Sequence, residues 1–354
     1  MASSKKINVL HIDTGLDWRG GQRQVLTLHE GLIKKNIKSH LTCNLEGELF
    51  KKQSEKNISN LTGFKFDGEF SALSIELILE KIERLKPNII HCHDSHSVGL
   101  MRTLKHQTNA TLFHTRRVSY PINFLSRFMK YNKIDVHIAV SDNINKYLSN
   151  FFQNIHTIQS CIDSSRFAKK NKKVYVFDQF EKNILFVGAL TNQKGVHTLL
   201  EAFSRVSSNH NIGLHIVGDG VLKNELRKFV LAKKINEKVI FHGSKMNVED
   251  FYISADYVVS PSIDGEGSNG VIKEALAAGK TVIASNLEDN KDLFEDKETG
   301  FFFEKNNPLS LQEILTKLID SKIYLNSENL KKHAKKFNCK NLILEHLKLY
   351  DKYS

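Results

Sequence analysis

The sequence predicts an α/β protein made of two doubly wound domains. Short apolar runs alternate with amphipathic segments, the alternation lapses near residue 168 and restarts near 182, and 354 residues suffice for two cores of ordinary size. In the first half, 7–12 reads as a buried strand, and 21–35 as a helix with Val25, Leu28, Leu32 and Ile33 at helical spacing. Strands are expected at 39–43, 88–92, 111–114, 136–140 and 156–159, with helices at 73–85, 97–105, 122–131 and 143–152. These form a first domain over 1–167. The stretch Ala168-Lys-Lys-Asn-Lys-Lys173 is polar, basic and aperiodic and reads as the start of a linker over 168–181.

The pattern then repeats over 182–335. Strands are expected at 184–187, 214–217, 239–241, 257–259, 281–284 and 300–303, and helices at 196–206, 222–234, 248–254 and 270–278. The remainder from 309 to 353 reads as helical, and its last part, 336–354, as a helix able to pack back on the first domain. Strands alternating with helices imply parallel sheets covered on both faces. Such sheets bind ligands beyond their strand carboxyl ends, so two facing domains are expected to share a cleft.

Composition removes several classes. With 19 Gly and 4 Pro and apolar residues throughout, the chain is neither collagen-like nor low-complexity. No apolar run reaches the roughly 18 residues of a membrane span, and the first residues lack the apolar stretch of a signal peptide, so a cytoplasmic protein is expected. Cys43, Cys92, Cys161 and Cys339 are far apart and form no CxxC pair, which supports neither a disulfide framework nor a zinc ribbon. The 51 basic against 39 acidic side chains leave a net charge of +12. A solvated basic surface, phosphorylated substrates and anionic lipid are all compatible with that charge. No RNP, KH or helix-turn-helix pattern accompanies it, so nucleic acid is not an expected partner.

Chemistry concentrates in the run from Ser260 to Gly279, where a strand ends in a glycine-rich turn that opens a helix. Gly265, Gly267 and Gly270 let a ligand approach the backbone, and the first free N–H groups of the helix can cradle a phosphate. Glu266 precedes the helix and Glu274 lies inside it. Each carboxylate can hold a vicinal diol of a sugar or ribose. This segment resembles the E-x7-E motif of retaining glycosyltransferases of family four, which have the GT-B fold of two Rossmann-like domains. The Pro-Ser strand end, the Glu-Gly pair and the small-residue helix end also match. The resemblance implies that Glu266 contacts the donor sugar and Glu274 the nucleotide ribose. Gly267, Ser268, Asn269, Gly270 and Val271 would then line the donor site.

Phe186-Val-Gly-Ala189-Leu-Thr-Asn-Gln-Lys194-Gly195 is similar to the segment in which that family clamps the donor diphosphate with an Arg and a Lys. Lys194 matches, whereas the Arg position holds Ala189. Trp18-Arg-Gly-Gly21-Gln-Arg23 is not GxGxxG and resembles the family's first-domain glycine loop, with Gly21 facing the donor. His91 and His93 share one side of a strand end and could bind a metal, but neither cysteine nor carboxylate stands at an established spacing. The resembling family is metal-independent, so neither a metal nor another cofactor is expected. His114 occupies the strand end where the family places a histidine beside the transferred sugar. The family's glycine pair and Glu after the 281–285 strand are replaced by Asn286-Leu-Glu-Asp-Asn-Lys-Asp292, so sugar preference does not transfer. Asp163 and Arg166-Phe167 match a segment read as structural.

The expectation is therefore a retaining glycosyltransferase. It would move a sugar from a nucleoside diphosphate, UDP or GDP, to a glycan or lipid-linked acceptor in cell-envelope polysaccharide or lipopolysaccharide synthesis. His114, Glu266 and Lys194 would act at the reacting centre. Arg116-Arg117 and the aromatic and basic run from Pro121 to Lys133 offer a contact with the inner face of the cytoplasmic membrane. A nucleotide-sugar epimerase and a non-catalytic nucleotide-sugar binding subunit are the alternatives.

Overall fold

The computed structural model describes residues 7–55, 60–168, 177, 179–321 and 323–354. Its contacts divide the chain into two units, one of residues up to Cys161 together with Cys339–Ser354, the other Ile162–Asn338. Of the segment expected to begin the linker, only Ala168 lies among the described residues.

In the first unit, β1 (Asn8–Asp13), α1 (Gly20–Lys34), β2 (Lys38–Asn44), α2 (Glu48–Ser54), β3 (Leu61–Phe64), α3 (Ala72–Leu85) and β4 (Ile89–Cys92) come first. They are followed by α4 (Ser95–Leu104), β5 (Thr111–Arg116), α5 (Phe124–Met129), β6 (Val136–Ala139), α6 (Asp142–Ser149) and β7 (Ile155–Thr157). The sheet is parallel, in the order β3-β2-β1-β4-β5-β6-β7. Its five inner strands are buried on both faces, so they read as near-continuous apolar runs rather than alternating ones. Side-chain caps set several helix starts: Ser71, Asp94, Asn123 and Ser141 each accept a bond from a backbone N–H of the first turn.

The second unit comprises β8 (Lys182–Val187), α7 (Val196–Val206), β9 (Ile212–Val217), α8 (Lys223–Ala232), β10 (Val239–Gly243), α9 (Glu249–Ser254) and β11 (Tyr257–Ser260). It continues with α10 (Gly270–Ala277), β12 (Thr281–Ser285), α11 (Glu288–Lys291), β13 (Gly300–Phe303), α12 (Pro308–Asp320) and α13 (Ser327–Ala334). Its parallel sheet has the order β10-β9-β8-β11-β12-β13. Each sheet therefore starts in its middle and reverses direction once, between β1 and β4 and between β8 and β11. Those two switch points are where a doubly wound sheet leaves room for a ligand.

The last helix, α14 (Cys339–Tyr353), returns to the first unit. Leu342, Leu349 and Tyr350 join the core formed by Val9, Leu28, Leu32, Phe113 and Val136. Gly31 of α1 makes room for Ile343, since a Cβ there would stand 2.2 Å from the Ile343 Cδ1.

Candidate functional site

At the switch point of the second unit, the loops after β8 and β11 interlock. Ile263 N–H donates to the Gln193 carbonyl at 2.9 Å. Gly195 has φ +61°, and a Cβ on it would lie 2.0 Å from the Pro261 oxygen, so only glycine fits where this turn crosses the other loop. The turn ends a 3₁₀ segment, Asn192–Lys194, and aims Lys194 at Glu266. Lys194 Nζ donates to Glu266 Oε1 at 2.5 Å, and Ser262 Oγ donates to the same oxygen at 2.5 Å. Two residues with separate expected roles thus form one ion pair at the edge of the buried interior. The ammonium keeps two further donors for a ligand's anionic oxygens.

Glu274 lies on α10, and Arg166 Nη1 is 3.6 Å from its Oε1, while Arg166 Nε donates to Glu249 at 2.5 Å. Arg166, read as structural in the sequence, thus holds a candidate ribose-binding carboxylate in place. Asn269 caps α10, accepting from Val271 N–H. Its amide donates to Ser260 Oγ at 2.8 Å and to Asn290 Oδ1 at 3.2 Å. Asn290, fully buried, donates in turn to the Ser285 carbonyl at 2.9 Å. The divergent 286–292 run is therefore a short helix that fastens the α10 cap. Ser268 Oγ accepts from the buried Lys273 at 2.6 Å, and Lys273 sits 4.7 Å over the Phe337 ring. Gly267 is buried, Val271 half-buried and Gly270 exposed, and a Cβ placed on Gly270 would meet nothing within 4 Å. The α10 N-terminus is open to an anion at that residue.

Sequence reasoning missed Ser262, Lys273 and Asn290. The N-cap pattern Asn269-Gly270 is a visible signal for the helix start. A lysine inside a helix and an asparagine in a polar run carry no signal that they are buried.

In the first unit, Gly21 stands in the first turn of α1, whose N-cap is Arg19. A Cβ at Gly21 would be 3.4 Å from Arg117 Cδ. Burial pushes the Arg117 guanidinium down to about 10, against the pull of Asp13 and Asp94. Asp13, 1% exposed, has its carboxyl raised to about 6 by burial and by the neighbouring Asp94. It accepts from Gly15 N–H and from Gln22 Nε2 at 3.0 and 3.3 Å. Above them, a cavity of about 450 Å³ opens at the ends of β1, β2 and β4, with Thr14, Asn44, Glu46, Phe66 and Asp94 in its wall.

His114 lies inside β5, which runs two residues beyond the strand end expected at 114. It is 2% exposed, with its Nδ1 3.4 Å from that of His137 and its ring edge-on to Tyr131. His11, His91 and His93 are the one group among the described residues with mutually close ligand atoms, all within 4.8 Å. Burial, the leading cause in each case, keeps all three imidazoles neutral, the form that binds metals. Both ring nitrogens of His91 are engaged, by Tyr350 and Thr115 hydroxyls at 2.5 and 2.7 Å. Arg117 Nη2 stands 3.4 Å from His93 Nδ1 and repels a cation. The cluster fits a buried hydrogen-bonded packing of rings better than a metal centre.

Of the aromatic and basic run, only Phe124–Met129 forms α5, which has no buried residue; Tyr131 lies in the first unit's core and Arg116 is buried, so neither offers the surface contact expected of them. Phe124, Leu125 and Phe128 are 73%, 64% and 66% exposed. Arg127 lies over the rings of Phe124 and Phe151. Among the described residues, no helix is long and apolar enough to cross a membrane.

Two family models match the chain: "Glycosyl transferases group 1" over residues 167–337 and "Glycosyltransferase Family 4" over 18–166. A stretch of 198 residues is 29% identical to an uncharacterized glycosyltransferase of Methanocaldococcus jannaschii, covering 52% of this chain and 55% of that one. The chain thus spans about half the length of that relative. A Campylobacter jejuni protein is 26% identical over 93% of this chain and 92% of its own; its name is GalNAc-α-(1→4)-GalNAc-α-(1→3)-diNAcBac-PP-undecaprenol α-1,4-N-acetyl-D-galactosaminyltransferase. The crystal structure of Anabaena HepE in complex with UDP superposes with a TM-score of 0.84 at 16% identity, covering 98% of this chain and all of that one.

Proposed function

This chain belongs to the family 4 (group 1) glycosyltransferases of GT-B fold, and we propose that it transfers a sugar from a nucleoside diphosphate to a glycan or lipid-linked acceptor hydroxyl. The Lys194–Glu266 pair at the β8/β11 switch point, with Glu274 eight residues after Glu266, is the observation that carries this reading. Lys194 and the open start of α10 would stabilise the negative charge that grows on the leaving diphosphate. Glu266 would accept bonds from donor-sugar hydroxyls. Glu274, held by Arg166, would take the ribose diol. UDP is the favoured donor base, because the HepE structure of the same fold holds UDP.

Transfer with retention of anomeric configuration requires no enzyme nucleophile. The leaving phosphate can take the acceptor proton on the face where the acceptor attacks, so neither a metal nor a cofactor is needed. The cavity at the ends of β1, β2 and β4 would receive the acceptor's terminal sugar, with Phe66 as an apolar wall and Asn44, Glu46 and Asp94 as hydroxyl partners. The acceptor class is drawn from the Campylobacter relative, whose name specifies an undecaprenol-linked glycan. The bare apolar face of α5, with Arg127 in its last turn, fits the headgroup region of an anionic membrane, where a lipid-linked acceptor resides. On this reading the enzyme works at the inner face of the cytoplasmic membrane.

Melting curves of the full chain with UDP, GDP, ADP, CMP and NAD, for wild type and Glu274→Ala, test the donor site. A ligand that binds only the native state raises Tm. UDP or GDP should do so at millimolar concentration, with the shift largely lost in Glu274→Ala. Binding of none of the nucleotides would overturn the reading. Binding without transfer from UDP- or GDP-sugars to lipid-linked acceptors would favour the non-catalytic alternative, for which Ala189 at the clamp's Arg position is the specific support.

A further inference from the structure

We propose that Cys161 and Cys339 form a reversible disulfide, a thiol–disulfide site at the two places where the chain passes between its units. The first unit ends at Cys161 and resumes at Cys339, so the two cysteines flank the whole of Ile162–Asn338. They are 178 residues apart in sequence, yet their sulfurs lie 2.9 Å from each other. All four cysteines are thiols in this structure. The Cys161 backbone is pinned: its N–H donates to Gln24 Oε1 at 2.8 Å, and its carbonyl accepts from Gln24 Nε2 at 2.7 Å. Cys339 opens α14, a helix seated in the core of the first unit. Both sulfurs therefore ride on fixed backbone, and joining them asks for little rearrangement. The other two cysteines are poor competitors. Burial pushes the Cys43 thiol up to about 12 and raises that of Cys92 as well, so neither supplies thiolate.

The oxidant is a low-molecular-weight disulfide. The thiolate of Cys339, the more exposed of the two, attacks one of its sulfurs and expels one small thiolate. The Cys161 thiolate then attacks the Cys339 sulfur of the mixed disulfide and expels the second. The two cysteines lose two electrons and two protons, which end on two molecules of small thiol. The new bond closes a loop containing the entire second unit. Closing so long a loop constrains the unfolded chain more than the folded one.

The full chain is equilibrated under native conditions with graded mixtures of oxidised and reduced glutathione, quenched by acid, and digested for mass spectrometry. A linked Cys161–Cys339 peptide should form at oxidised-glutathione levels at least tenfold below those that modify Cys43 or Cys92. Two of the four thiols should disappear, and Tm should rise by several degrees. Cys161→Ser and Cys339→Ser should each abolish the link and the Tm gain, leaving a single glutathione adduct on the remaining partner. Separate adducts on Cys161 and Cys339 without the linked peptide would overturn the proposal. So would four unreacted thiols in the most oxidising mixture, or earlier oxidation of Cys43 or Cys92.

Discussion

At the scale of single residues, the site's polarity follows from which groups share an oxygen. Glu266 Oε1 takes bonds from both Lys194 and Ser262, so its charge is already half answered before any ligand arrives. Replacing Lys194 by Met leaves that carboxylate with the serine alone and, on the proposed function, removes the cation that would face the donor diphosphate. Transfer should fall on the order of 10²–10³-fold in kcat, the cost of losing one preorganised donor to developing negative charge. A steady-state assay with the donor identified by melting checks this, and a loss confined to KM would show that Lys194 binds without stabilising the transition state. Arg166→Met should weaken nucleotide affinity by less than Glu274→Ala does, since it loosens the carboxylate without removing it. Titration calorimetry with the same nucleotide ranks the two. The glutamates are singled out in the sequence by the E-x7-E resemblance that their spacing and flanking glycines carry. The task of Arg166 is not, because its partners Glu249 and Glu274 come from different helices and only the fold brings them to one guanidinium.

Elements respond to the same logic through caps and faces. The start of α10 hangs on Asn269, and Asn269 hangs on Asn290 of α11. Asn290→Ala strands a buried amide and the Ser285 carbonyl, at about 1–3 kcal/mol of stability by the usual cost of an unmet buried polar group. Urea melts should show that loss, and nucleotide affinity should drop with it; full stability in the variant would sink this account of the 286–292 run. On the other unit, α5 displays Phe124 and Phe128 to solvent. The double change Phe124→Ser, Phe128→Ser should abolish sedimentation with anionic vesicles while leaving Tm within a degree or two, because those rings are not part of a core. Retained sedimentation would place membrane contact elsewhere. Strongly periodic elements are legible in the sequence, α7 and β13 to the residue. The short α2 and the edge strand β3 are not: β3 has one buried residue and a central Gly63, so neither apolar alternation nor length marks it. Helices α4 and α6 begin before their expected starts, because Asp94 and Ser141 draw the first turn back by capping it.

Across the whole molecule, the two units share a topology and differ in how many neutral histidines they bury. In the first unit, desolvation lowers His11, His29, His40, His91, His93, His114, His137 and His346, with His29, His40, His137 and His346 each brought to about 4. In the second, His215 falls to about 3, while His242 and His333 are lowered less. A lowered imidazole pKa means the unfolded chain binds protons that the folded chain refuses. Its stabilising contribution is complete above pH 6.5 and is lost as pH falls from there toward 4, by up to about 1.4 kcal/mol per pH unit for each group. Asp13 runs the other way. Its raised carboxyl favours the folded state below pH 4, and that gain is lost as pH rises through 6, so on acidification it offsets one histidine of the eight. The first unit should therefore fail first in acid. Hydrogen exchange read unit by unit at pH 7.5 and pH 5 checks this. The lone Trp18, packed near Leu49 and Val25, gives the first unit a private fluorescence signal in parallel urea melts. The expected result is a protection loss at pH 5 several kcal/mol larger in the first unit than in the second. His137→Phe, at a ring already packed 4.4 Å from that of Phe152, should flatten the pH slope of the first unit by about one histidine's share. Equal losses in both units would mean that the buried histidines do not set the acid limit.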